Sequence, residues 1–163
     1  MNRVVSLGAM TICFGIVASG TATAQTAKDL VGTWTLVAST NVGQDGRKID
    51  VFGPNPKGMY AFDDKGRFVI VNARPDLPKF ASNNRNQGTP DENKAIVQGS
   101  LSLFGTYSVA DKVITYKVEA SSWPGWTGTE QKRTITSFTG DELTYTLAGS
   151  IGGTSETKIR RLK

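Results

Sequence analysis

Short segments that alternate apolar and polar residues, separated by tight turns, follow one another along most of this 163-residue chain. In the first segment Trp34 and Leu36 fall on one face and Thr33 on the other, because side chains of a strand alternate between the two faces of a sheet. Turns such as Asp-Asp-Lys-Gly at residues 63–66 join neighbouring segments. Comparable segments cover residues 32–38, 47–52, 57–62, 67–73, 103–109, 112–119, 130–138, 142–148 and 154–162. The spacing predicts an all-β domain, an antiparallel up-and-down barrel of about eight strands.

One connection is much longer than a turn. Residues 74–99 carry no strand pattern, but Thr89, Pro90 and Glu92 have the spacing of a helix start, with Thr89 as N-cap and Glu92 completing a capping box. The sequence therefore predicts one short helix that ends near Gln98. Long connections in compact domains are commonly lids or binding loops. We expect this one to act as a lid over one end of the barrel.

The N-terminal segment has the parts of a signal peptide. Arg3 supplies a positive charge, residues 4–17 are apolar, and Ala-Thr-Ala at residues 22–24 forms a cleavage site. The apolar stretch is shorter than the ~20 residues that cross a membrane. We expect residues 1–24 to be removed, leaving residues 25–163 as one β-barrel domain that is periplasmic or secreted and has no membrane span. A retained N-terminal anchor is the alternative.

The composition excludes several classes of chemistry. The chain has no histidine, and its one cysteine, Cys13, lies in the predicted signal peptide. Histidine is the commonest general base and metal ligand, and with cysteine it forms the usual zinc, iron and copper sites. We therefore expect no metal and no cofactor. The net charge of +5 falls to +4 without Arg3 and is dispersed, which argues against a nucleic-acid partner and gives a slight bias toward anionic ligands.

Four motifs in order resemble those of the bacterial lipocalin-like domain family, small calycin-type β-barrels. They are residues 30–34 (Leu-Val-Gly-Thr-Trp), residues 52–59 with the turn at 63–67, residues 104–107 (Phe-Gly-Thr-Tyr), and residues 118–133 with Trp-Pro-Gly-Trp at 123–126. The resemblance implies an eight-stranded barrel with a central cavity. It also has one departure: Tyr116 and Lys117 stand where family members often carry a histidine, so proton transfer through that histidine is not available here.

The resemblance further implies a structural role for Trp34. In lipocalin-like barrels a tryptophan at the base of the first strand packs beneath an arginine from the last strand through a cation–π contact. Arg160 or Arg161 is the expected partner in this chain.

Candidate ligand-binding residues combine aromatic and cationic side chains near the strand ends. Trp123 and Trp126 lie in a hairpin connection at a barrel rim, where they would line the cavity mouth or cap the core. Arg74 would bind a ligand carboxylate bidentately, pair with Glu119 or Glu130 inside the mouth, or lie at a strand end on the surface. Arg133 would help to orient a polar end of the ligand, or lie on the surface. The aromatic residues with the period of inward positions include Tyr60, Phe68, Tyr107 and Tyr116. Inward side chains of such a barrel either fill it or leave room for one small ligand.

Three functions are consistent with these patterns. The first is an exported protein, a monomer or weak homodimer, that binds a small hydrophobic or amphipathic molecule in the barrel. The second is an enzyme (isomerase, cyclase or hydrolase) that uses Glu119 and Glu130 as an acid–base pair inside the barrel, although alternation puts Glu119 opposite the apolar face of its strand. The third is an envelope interaction or stress module with a filled barrel.

Overall fold

The computed structural model describes residues 25–149 and 152–163. The predicted signal peptide, residues 1–24, lies outside the described residues. Within them the secondary structure is almost entirely strand. The elements are α1 (Ala27–Leu30), β1 (Gly32–Val42), β2 (Lys48–Asp50), β3 (Lys57–Phe62), β4 (Arg67–Ala73), α2 (Pro90–Gly99), β5 (Ser100–Ala110), β6 (Val113–Ser121), a 3₁₀ turn (Pro124–Trp126), β7 (Glu130–Phe138), β8 (Glu142–Ala148) and β9 (Thr154–Arg161).

Eight of the strands close into an antiparallel barrel. From β3 to β9 each strand pairs with the next strand in the chain. This includes β4 and β5, although the long connection with α2 separates them in sequence. β1 pairs with β3 on one side and with β9 on the other, which closes the sheet. The ninth strand, β2, pairs only with the last part of β1. The predicted all-β, lipocalin-like barrel with one short helix is confirmed.

One end of the barrel is closed by α1 and a tryptophan–arginine pair. The Trp34 indole N–H donates to the carbonyl of Leu30 (2.8 Å), and both side chains are fully buried. The Arg161 guanidinium lies over the indole, 4.1 Å from the ring centroid. The predicted partnership is therefore confirmed for Arg161. Arg160 points the other way and pairs with Glu142 (3.0 Å) on the outer surface.

The half of the barrel next to this closed end is filled with aromatic side chains. Phe68 packs against Tyr116 with 4.4 Å between ring centroids, and Phe62 meets Tyr107 edge-on at 5.0 Å. Strands β5 and β6 approach closely here, because Gly105 has no side chain: a Cβ at this position would lie 2.0 Å from the Lys117 carbonyl oxygen. The filled half leaves space only toward the opposite, open end.

The long connection between β4 and β5 contains the predicted helix. The Thr89 N–H donates to the Glu92 carboxylate (2.7 Å), and the Glu92 N–H donates to the Thr89 hydroxyl (3.3 Å), which forms the predicted capping box. Glu92 also accepts from the Ala81 N–H (2.8 Å), so it ties the preceding loop to the helix. These N–H donors hold the pKa of Glu92 below its ordinary value. The backbone N–H of Arg74 donates to the backbone carbonyl of Gly99 (2.8 Å), so the first and last residues of the connection are joined by a hydrogen bond.

Replacing Arg161 by lysine tests the closure of the barrel. The Arg161 guanidinium donates to the carbonyls of Val31 (2.6 Å), Asp29 (2.7 Å) and Gly140 (3.0 Å), a fork that an ammonium group does not reproduce. We expect Arg161→Lys to lower the free energy of unfolding by about 2–4 kcal/mol, measured by urea denaturation. The matched control, Arg160→Lys, changes a surface ion pair and is expected to cost less than about 1 kcal/mol. An equal decrease in the free energy of unfolding of the two variants would contradict the role of Arg161 in closing the barrel.

Candidate functional site

A small cavity of about 100 Å³ lies inside the barrel near its open end. Its wall is mixed: apolar side chains come from β4, β5, β8 and the segment after β2, and side chains with polar groups come from β1, β3, β4, β7, β8 and β9. The lining residues are Ser39, Val51, Phe52, Tyr60, Ile70, Asn72, Leu101, Leu103, Trp126, Arg133, Tyr145, Leu147, Ser155 and Thr157. Val51, Leu101, Trp126 and Leu147 are only partly buried and mark the mouth.

Polar side chains line up across this cavity. The Asn72 amide donates to the Tyr60 hydroxyl (2.9 Å), and the hydroxyls of Ser39 and Thr157 are hydrogen-bonded to each other (3.3 Å). Tyr145 lies beside Thr157, because the strand register pairs Thr157 with Tyr145 on one side and with Ser39 on the other.

The tyrosines of the cavity stay neutral. Burial raises the pKa of Tyr60 well above its ordinary value of 10.0, and it also raises the pKa of Tyr145. Burial likewise raises the pKa of Tyr116, deeper in the barrel, well above the ordinary value. Each of these hydroxyls is therefore a hydrogen-bond donor, not a negative charge, at physiological pH.

Arg133 brings a positive charge into the barrel. It faces inward on β7, on the same side of the strand as Ile135, and only 5% of its surface is exposed. Its guanidinium lies between two aromatic rings, 5.6 Å from the centroid of Tyr116 and 5.4 Å from that of Trp126. These cation–π contacts hold the guanidinium plane inside the barrel at the cavity wall.

The charge of Arg133 has no counter-charge in the part of the chain that the structure describes. Its one hydrogen bond there is donated to its neighbour's carbonyl, that of Lys132 (3.0 Å). None of the ion pairs among the described residues includes it. An unpaired buried ion costs several kcal/mol, as an order of magnitude. The N–H groups of Arg133 that make no bond to the protein border the cavity, where water or an anion can accept their hydrogen bonds.

Arg133 also borders a cleft in the barrel wall. The β7–β8 ladder ends at the pair Thr134 and Thr146, so the strands separate beyond it. The space outside this gap is about 630 Å³ and is lined by residues 130–134, 146–148, 153 and 154. Arg133 lies between this cleft and the interior cavity, within reach of a molecule in either.

The structure brings three of the predicted binding residues together at the cavity, namely Tyr60, Trp126 and Arg133. Tyr116 lies just below, with its ring against the Arg133 guanidinium. Phe68 is in the filled half of the barrel. Tyr107 is at the closed end, where its hydroxyl is within hydrogen-bonding distance of the carbonyls of Asp63 (3.0 Å) and Ala27 (3.2 Å).

Two other predicted binding residues lie outside the cavity. Trp123 is 51% exposed, on the outer side of the connection that carries Trp126. Arg74 lies at the rim beside Gly53 and pairs with Asp76 (3.0 Å). No residue of the predicted lid lines the cavity; the segment that flanks its mouth is instead Val51–Phe52. The reason is that the connection folds back at its base onto β5.

The structure places neither of the proposed acid–base carboxylates inside the barrel. Glu119 faces outward from β6 and forms a bidentate ion pair with Arg67. Glu130 faces outward from β7, with the Lys132 ammonium 4.0 Å away. No group of acidic side chains among the described residues is arranged to hold a metal ion.

Sequence reasoning missed most of the polar cavity wall, which comprises Ser39, Asn72, Tyr145, Ser155 and Thr157. Asn72 and Tyr145 occupy positions that alternation assigns to the inner face of their strands, so the sequence could have predicted that they face the interior. Ser155 and Thr157 did not, because hydroxyl residues at alternate positions of a terminal strand have the same pattern as a solvated face.

A closed eight-stranded barrel with a small interior cavity defines a lipocalin-like β-barrel protein. The sequence agrees: a model of the lipocalin-like domain family matches residues 31–161, and the chain belongs to this family. No curated protein matches the chain. No helix in the described ranges is long and apolar enough to cross a membrane.

The solved structures that are similar to the chain include three designed barrels. They are a de novo designed fluorescence-activating β-barrel (15% identity, 83% of this chain and 96% of that chain covered, TM-score 0.42), a redesigned β-barrel (13%, 84% and 95%, 0.43) and a redesigned β-barrel bound to DFHBI (18%, 83% and 97%, 0.40).

The raised tyrosine pKa values predict how stability depends on pH. Because the fold favours the neutral hydroxyls of Tyr60, Tyr116 and Tyr145, their contribution is complete below pH ~10 and is lost as the pH rises through the higher folded-state values. We expect the melting temperature to be nearly constant between about pH 6 and pH 9, since the chain has no histidine, and to fall above about pH 10. Tyrosinate absorbance is expected to rise together with unfolding. If the tyrosinate absorbance of all four tyrosines rose near pH 10 while the protein stayed folded, the buried positions of these tyrosines would be contradicted.

Proposed function

We propose that this protein binds a small amphipathic molecule in the cavity at the open end of its barrel. The observation that carries the proposal is the mixed cavity wall, in which Ile70, Leu101 and Leu103 supply apolar surface and hydroxyl, amide and guanidinium groups supply hydrogen-bond donors. Such a wall suits a molecule with one apolar and one polar part, which is the usual composition of small-molecule sites. The general capacity of a lipocalin-like barrel to bind a ligand supports it.

The size of the cavity limits what is enclosed. About 100 Å³ is smaller than the ~150 Å³ of an engineered cavity that holds benzene. We infer that the polar head and a few carbon atoms enter, while the rest of the ligand lies in the mouth against Trp126 and Leu147. Each Å² of apolar surface buried there contributes ~25 cal/mol before the entropic costs of binding.

We also propose that the protein acts outside the cytoplasm, as the N-terminal pattern predicts. The intact mass of the protein recovered from a periplasmic or culture fraction tests this. We expect the chain to start at Gln25, after cleavage at residues 22–24. A chain that retains residues 1–24 and stays with the membrane fraction would support the anchored alternative.

Binding of hexan-1-ol, a small neutral amphipathic molecule, tests the proposed function. We expect saturable shifts of the amide signals of cavity residues in NMR spectra of residues 25–163, together with a change in tryptophan fluorescence. Trp126→Ala removes the aromatic wall at the mouth and is expected to weaken binding about 5- to 20-fold, from the apolar area lost.

The matched control is Trp123→Ala, which removes the same side chain from the same connection but outside the cavity. We expect its affinity to stay within about twofold of that of the unchanged protein. Both variants are compared at equal folded fraction, checked by circular dichroism. If neither neutral nor charged amphipathic molecules bind, the barrel is a filled interaction module and the proposed function is wrong.

A further inference from the structure

We propose that the ligand of this cavity is a monocarboxylate whose carboxylate group binds Arg133. This rests on the proposed function, because it assigns the polar head of a ligand for the same site. The inference goes beyond it by fixing the charge, the geometry and the residue that selects the ligand.

The first argument is charge. Arg133 is the one charged side chain in the cavity wall, and no carboxylate of the described residues pairs with it. A guanidinium stays protonated even when buried, so the fold is not able to remove this charge by deprotonation. A ligand with one negative charge supplies the missing counter-charge, which a neutral ligand does not.

The second argument is the set of free donors on Arg133. Four of its five guanidinium N–H groups have no hydrogen-bond partner among the described residues. A carboxylate only accepts hydrogen bonds, and its two oxygens can satisfy two of these N–H groups at once.

The third argument is shape and surroundings. The guanidinium is held in place by Tyr116 and Trp126, so its planar fork is preorganised to meet a planar carboxylate with two parallel hydrogen bonds. The neighbouring side chains Leu147 and Trp126 are apolar or aromatic. This setting suits one negative charge on an apolar body and disfavours a multiply charged, strongly hydrated phosphate.

The test compares hexanoate with hexan-1-ol, which have the same chain length but differ in charge, by NMR titration at pH 7. We expect the unchanged protein to bind hexanoate at least about 30-fold more tightly. Arg133→Met is expected to remove that preference, so that hexanoate binds no more tightly than hexan-1-ol. The melting temperature of this variant is expected to stay equal or rise, since methionine replaces an unpaired buried charge by an apolar side chain.

Two further variants make the test specific. Lys132→Met removes one positive charge from the adjacent residue, whose ammonium lies on the outer face, and is expected to leave both affinities unchanged. Arg133→Lys keeps the charge but loses the planar fork, and is expected to lower hexanoate affinity about 5- to 10-fold. If Arg133→Met does not fold, the hexanoate affinity of Arg133→Lys alone tests the carboxylate assignment.

The outcomes separate the two proposals. If hexan-1-ol binds and hexanoate binds no more tightly, or if both Arg133 variants retain the preference, the carboxylate assignment is wrong and the proposed function stands. If neither compound binds, both are wrong. Inorganic phosphate is expected not to displace hexanoate; displacement at equal concentration would overturn the assignment to carboxylates in favour of a general anion site.

Discussion

The pairing of the first and last barrel strands is the interaction on which the rest of this structure depends. It brings Arg161 over Trp34 and lets the guanidinium bind three backbone carbonyls at the base of the barrel. This end is fixed by α1 and the Trp34–Arg161 pair, while the turns between neighbouring strands set the register within each hairpin. The register in turn decides which side chains face the interior at each level of the barrel.

Packing then divides the interior into two unequal parts. Near the closed end, Phe62, Phe68 and Tyr107 fill the barrel and contribute its hydrophobic core. Near the open end the inward positions of β1 and β9 carry the smaller hydroxyl side chains Ser39, Ser155 and Thr157, which leave space. Stability and binding are thus assigned to different levels of one barrel, and a change at one level need not disturb the other.

Arg133 shows how the two requirements conflict. A barrel selected for stability alone would place an apolar residue here, because the buried guanidinium lacks a counter-charge in the described residues and is supported only by Tyr116, Trp126 and one carbonyl. Sites of binding are where such locally unfavourable arrangements are expected. In the binding mode proposed here, the ligand carboxylate would supply the counter-charge that the free protein lacks at this residue.

The sequence by itself determined the strands and the capped helix that begins after Thr89, since alternation, capping and turn formation depend on residues close together in the chain. The role of Trp34 followed from the resemblance to a family. Tertiary structure alone decided which half of the barrel is filled, that Glu119 faces an outer arginine, and that Arg133 makes no ion pair among the described residues. These outcomes depend on contacts between residues far apart in sequence, which come together only when the strands pair.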